Sequence, residues 1–182
     1  MKPVTLLPVR RDGWTIEDLD TLPDDGLRYE LVDGSLHVSP PATVGHNSAA
    51  FRLGVLLDKV LDDSWLVVPA PGVALDPRNY REPDLVIVRR EALDVLLARA
   101  QDVLLAVEIM SPSSITDDRM TKPAQYARAG IPHFWRLERQ AEPVLVTHEL
   151  TGDVYCETGR FIDEVVIDRP VSLRFRLDVL LA

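Results

Sequence analysis

The run Val103-Leu-Leu-Ala-Val-Glu-Ile-Met110 is apolar at every position but one. A strand of this composition is buried on both faces, so the chain is limited to folds in which a sheet is covered by other layers. The exception, Glu108, has to be compensated, because burying an unpaired carboxylate costs several kcal/mol. A metal ion, an Arg or Lys partner, or a raised pKa would each serve, and a structural salt bridge is the plainest of these.

With 182 residues, 46% of them hydrophobic, the chain matches one globular domain spanning residues 1–182. No stretch approaches the roughly 20 apolar residues of a membrane span, and the apolar run near the N-terminus is short and broken by proline. The expectation is a cytoplasmic protein that contacts no membrane. Cys156 is the single cysteine, which excludes an internal disulfide, and the expectation is a small residue packed in a strand.

A net charge of −9 excludes a protein that coats nucleic acid through bulk electrostatics. The distribution is uneven. Residues 119–139 carry 5 basic and 1 acidic group, and every other segment is negative. A polyanion would therefore be met by that window, with Arg78 and Arg81 as further contacts.

Local signals place most elements. Thr15-Ile-Glu-Asp18 has capping-box spacing and predicts a short helix ending before Pro23. Alternating runs on either side of Asp33-Gly34 predict a hairpin over 28–39. Ala50, Leu53, Leu57 and Leu61 follow helical spacing, predicting a helix over 43–61. Strands are expected at 65–68, 72–75, 84–89 and 103–110, with a short helix over 91–99. A helix over 115–129 should be closed by Gly130 and followed by a strand at 133–137. Short alternating strands at 144–150, 154–157, 165–168 and 171–175 complete an α/β or α+β arrangement.

Several side chains could carry chemistry. Asp84 heads a strand expected to neighbour that of Glu108, and two such acids can share one divalent cation, since Mg²⁺ takes one or two protein carboxylates and completes its shell with water and phosphate oxygens. Lys122 is a candidate to orient water or offset charge. Only three lysines occur against 17 arginines, so a lysine here carries information. Arg119, Lys122 and Tyr126, at i, i+3 and i+7, form one helix face that would overlook the site, with Arg119 and Tyr126 touching substrate. Pro123 starts or kinks that helix. Glu30 is a further acid among strand residues, and His46, near the start of the long helix, could contact phosphate or act as a base. His37, His133 and His148 have no metal spacing, and Ser111-Pro-Ser-Ser114 reads as a turn.

Taken in order, Tyr29-Glu-Leu-Val-Asp-Gly34, Pro83-Asp-Leu-Val-Ile-Val88, Val107-Glu-Ile-Met-Ser-Pro-Ser-Ser114 and Lys122 through Tyr126 to Gly130-Ile-Pro132 resemble the Uma2 family of restriction endonucleases in the PD-(D/E)XK nuclease superfamily. The resemblance spans residues 14–178. It implies a restriction-endonuclease-like core, a central mixed β-sheet flanked by helices, with additional N-terminal and C-terminal β-hairpins. It also implies a DNA substrate, Mg²⁺ or Mn²⁺ held by Asp84 and Glu108, and Glu30 as a further acid of the site. The superfamily's usual lysine, two residues after the second acid, is replaced here by Met110. The family resemblance implies that Lys122, on the next helix, takes its role.

Three functions are compatible with these residues. One is a metal-dependent endonuclease acting as a homodimer, for which the edge strands of the C-terminal hairpins offer a pairing surface; another is a catalytically silent member of the same fold that binds nucleic acid or protein; the third is an unrelated metal-dependent phosphodiesterase acting on RNA or a small phosphate ester.

Overall fold

The computed structural model describes residues 10–139 and 142–181, so the N-terminal stretch read for a signal lies almost wholly outside them. Thr15 opens a 3₁₀ turn over Ile16–Thr21, where the Asp18 carboxylate accepts the Thr15 backbone N–H at 3.0 Å. The hairpin follows as β1 (Arg28–Val32) and β2 (Ser35–Ser39), with Asp33 and Gly34 both at positive φ in its turn. Next come α1 (Val44–Asp58), β3 (Trp65–Pro69), β4 (Val73–Asp76), β5 (Asn79–Arg81), β6 (Leu85–Arg89) and β7 (Ala98–Arg99). The chain continues through β8 (Val103–Met110), α2 (Lys122–Arg128), β9 (His133–Glu138), β10 (Val144–Thr151), β11 (Val154–Phe161), β12 (Glu164–Ile167) and β13 (Leu173–Arg176).

Six strands form the central sheet in the order β11-β10-β9-β8-β6-β3. The β8–β9 pair is parallel and the other pairs are antiparallel, so the sheet is mixed, as expected. A second sheet, β2-β1-β5-β4-β7, carries the N-terminal hairpin, and β12 pairs only with β13. Among the described residues no helix is long and apolar enough to cross a membrane.

Strand alternation divides the core in two. Leu85 and Ile87 of β6, with Leu105, Val107 and Ile109 of β8, meet Leu53 and Leu57 of α1. On the opposite face, Val86 and Val88 of β6 and Ala106 of β8 meet Tyr126 of α2 and Phe134 of β9. Glu108 has the parity of Ala106, which points its side chain to the α2 layer.

Two expectations are corrected. Residues 91–99 form a 3₁₀ turn at Arg90–Ala92 and the short β7 instead of a helix. Leu93, Val95 and Leu96 there are exposed, so no apolar face was available to hold a helix against the core. Cys156 lies in a strand, β11, but is exposed because that strand forms the sheet edge.

Leu53 is fully buried beneath the central sheet, whereas Leu96 is 86% exposed. Leu53→Ala should lower unfolding stability by about 2–5 kcal/mol and Leu96→Ala by less than about 0.5 kcal/mol, read by urea denaturation.

Candidate active site

β6 and β8 are direct neighbours, with Leu85 opposite Val107. Asp84 stands immediately before β6, and its Oδ2 accepts the Ile109 backbone N–H at 2.7 Å. The side chain thus takes over the ladder where β6 begins, which fixes it beside Glu108. Glu108 is 1% exposed. Its Oε2 lies 2.7 Å from Lys122 Nζ, and its Oε1 accepts the Tyr126 hydroxyl at 2.6 Å.

Lys122 reaches Glu108 because of a local irregularity. Residues 115–128 are helical as expected, but Asp117–Thr121 form a π-turn, and the Lys122 N–H bonds the Asp117 carbonyl five residues back. Pro123 explains it, since proline offers no N–H and collides with the carbonyl four residues earlier in a regular α-helix. The extra residue breaks the expected common face. Lys122 and Tyr126 turn inward with Asp118, which is 3.0 Å from Lys122 Nζ and accepts the Ser114 hydroxyl. Arg119 turns instead to Glu138.

The site is built from cations that each straddle two carboxylates. Arg28 bridges Glu82 and Asp84, Arg81 bridges Glu30 and Asp117, and Lys122 bridges Glu108 and Asp118. Six carboxylates around three such cations leave an excess of negative charge. Glu30 also accepts the Glu82 backbone N–H at 2.9 Å, which ties β1 to the end of β5. Arg81 is fully buried and donates to Gln125 at 2.7 Å.

Burial pushes the Glu108 carboxyl up to about 8 against the opposing Lys122 ammonium, with Asp84, Asp118 and Glu30 adding to the rise. Burial also raises Asp118, against Lys122 and Ser114. For Asp84 the upward push of burial is outweighed by the His46 ring, Lys122 and the Ile109 N–H, so the carboxyl sits below its ordinary value. Burial works against the Lys122 charge, but Glu108, Glu30, Asp118 and Asp84 hold the ammonium above the ordinary lysine value.

Hard oxygen donors beside an excess of negative charge suit a divalent cation. Two buried atoms in the cluster, Asp118 Oδ1 and His46 Nε2, have no hydrogen-bond partner. His46 Nε2 lies 2.9 Å from Asp84 Oδ1 without hydrogen-bond alignment. Among the described residues, no three His, Cys, Asp or Glu side chains converge as a preformed metal cluster. Lys122, Tyr126 and the Ile109 N–H occupy the carboxylate oxygens instead.

Glu30, His46, Asp84, Glu108, Lys122 and Tyr126 are therefore brought together, and Arg119 is not. Tyr126, expected to touch substrate, is fully buried and donates its hydroxyl to Glu108. The 119–139 window also differs from its expected role. Lys122 is buried, and Arg119 and Arg136 are both bound to Glu138. Arg81, expected at DNA, has no exposed surface. The sequence reading missed Arg28, Asp117 and Asp118; the i,i+4 spacing of Asp118 and Lys122 was the signal for Asp118.

Comparison with known proteins bears on the family and the fold. The family model described as "Uma2: Putative restriction endonuclease" matches residues 16–179. A crystal structure described as a putative nuclease belonging to DUF820, from Anabaena variabilis ATCC 29413, superposes with a TM-score of 0.74 at 13% identity. That match covers 92% of this chain and 97% of the other. No curated protein matches.

An acid whose folded pKa is raised holds its proton more tightly in the folded state, so Glu108 costs stability as pH rises from 4.5 towards about 8. Glu108→Gln removes that cost. Its stability relative to the native chain should rise by on the order of 2–4 kcal/mol between about pH 5 and about pH 9, read by denaturant melts. Parallel pH profiles would mean that Lys122 already neutralises the carboxylate in full.

Proposed function

The chain belongs to the Uma2 family, and on that premise we propose that it is a nuclease that hydrolyses phosphodiester bonds in DNA with a divalent cation, Mg²⁺ or Mn²⁺. The observation that carries this reading is the cluster in which six carboxyl groups surround three bridging cations, with Asp84 at the head of one strand and Glu108, almost fully buried, on the adjoining one. Asp84 and Glu108 would hold the ion, which supplies positive charge against the charge that builds on the phosphate. His46 stands beside Asp84 on the solvent side and can meet the ion or the phosphate.

Lys122 stays protonated in this setting, so it acts as a hydrogen-bond donor and a charge, not as a base. Its ammonium can align water or a phosphate oxygen once Glu108 and Asp118 share their charge with the ion. This supports the assignment of the lysine role to α2, since Met110 is buried and apolar. Glu30 acts through Arg81, holding β5 and the head of the π-turn in place. Arg119 would join the substrate surface only after leaving Glu138.

The same reading places the protein in the cytoplasm with its DNA substrate. It also makes it a homodimer, in which β11, an edge strand whose first residue Val154 is exposed, supplies pairing surface. A silent binding member of the fold is the second reading, favoured by the occupation of Glu108 by Lys122.

Purified protein with Mg²⁺ or Mn²⁺ should nick supercoiled plasmid, whose underwound duplex opens unpaired stretches. Asp84→Asn, Glu108→Gln and Lys122→Ala should each lower the rate by about 100-fold or more, and EDTA should abolish it. Mn²⁺ should raise the melting temperature of the native chain and not of Asp84→Asn, because an ion stabilises only the state that binds it. A metal-induced shift without cleavage would favour the silent reading.

A further inference from the structure

A groove of about 760 Å³ runs along α1, a size that holds one ligand of nucleotide dimensions and no duplex. It opens at one end on Asp84 and His46, and it extends along the helix as far as Lys59. Val67 and Leu85 form apolar parts of its wall. Phe51 also lines it, with 70% of its surface left in water. On the rim, Ala70 holds a positive φ of 45°, and its N–H is bound to the Asp84 carbonyl at 3.1 Å. Such a conformation costs energy in a non-glycine residue and collects where a site needs a particular shape.

The charge of the groove tells what it does not bind. Arg28 and Lys59 face Asp58, Glu82 and Asp84 along its length, so it offers no basic track for a run of phosphates. Its distinctive features are an exposed aromatic face, apolar walls and the Asn47 carboxamide. An uncharged ring with hydrogen-bonding edges fits these, and the groove begins where a scissile phosphate would sit. The next group along a substrate strand from that phosphate is a deoxyribose, and it carries a nucleobase. A paired base hides both faces in the stack and shows only its edges, so only an unpaired base can lie against Phe51.

We propose that this groove takes an unpaired nucleobase adjoining the scissile phosphate, and that the substrate is single-stranded DNA. The inference rests on the nuclease reading above. Phe51 is the stacking residue, and the carboxylate cluster supplies the chemistry at the adjoining phosphate.

The test compares one labelled oligonucleotide, single-stranded and as a blunt duplex, with the native chain, Phe51→Ala and Phe51→Trp. Phe51 is exposed on a helix, so both variants should fold. Single strand should be cut in preference to duplex. Phe51→Ala should lose about tenfold in kcat/KM on the single strand through KM, and Phe51→Trp should retain it. Preference for duplex, or equal kcat/KM in Phe51→Ala, overturns the proposal. If the native chain cuts neither form, the nuclease reading fails, and anisotropy of the labelled single strand then decides the groove. Binding weakened about tenfold by Phe51→Ala supports it, while equal binding, or none by the native chain, overturns it.

Discussion

A carboxylate inside the central sheet is the constraint on which the rest of this structure depends. Glu108 sits in β8 among residues with almost no exposure, where an ionised group without partners is not tolerated. Lys122 and Tyr126 meet it from α2, and they can do so only if α2 lies close over that face of the sheet. The position of the helix, the burial of Tyr126 and the inward turn of Asp118 all follow from this requirement. An apolar residue at 108 would be the more stable choice in such a core. The presence of an acid there, supported by two donors, indicates a site kept for chemistry at the expense of stability.

The π-turn shows how a local covalent restriction shapes the site. Pro123 prevents a regular helix from running through 119–123, and the widened turn that results changes which side chains share a face. A regular helix would have presented Arg119 beside Lys122. The observed one keeps Asp118, four residues before Lys122, beside it and sends Arg119 to Glu138. Charge pairing then extends outward from this turn. Asp117, at its start, is held by Arg81, which in turn holds Glu30 on β1. The second sheet is thereby joined to the site by ion pairs and not by apolar contact alone.

The overall negative charge gains meaning from the same network. Within the one positive window, Lys122 meets Glu108 and Asp118 inside the protein, while Arg119, half-exposed, and Arg136 share Glu138. Three of its five cations are thus paired with acids, which weakens its pull on duplex DNA at long range. Recognition must then act at short distance, through the shape and apolar contacts of the groove beside Asp84, which is consistent with an aromatic residue exposed at that place.

Much of the fold was legible in the sequence because its signals are local. Asp33-Gly34 dictates a tight turn by its backbone preference, the spacing of Leu53 and Leu57 dictates a helix face, and the apolar run around Glu108 dictates a buried strand. The adjacency of Asp84 and Glu108, and the reach of Lys122, were also open to inference from order and spacing. Three matters were decided only by tertiary structure. Residues 91–99 were expected as a helix, but Leu93, Val95 and Leu96 found no surface to pack on. Arg81 looked like a surface cation until the fold buried it between Glu30 and Asp117. Arg119 left the face of Lys122 for Glu138 because a π-turn widened one helix, while Asp118, four residues before Lys122, stayed on that face. Turn chemistry and periodicity act between near neighbours and are written in the chain, whereas the partner of a charge depends on which distant strands the fold brings beside it.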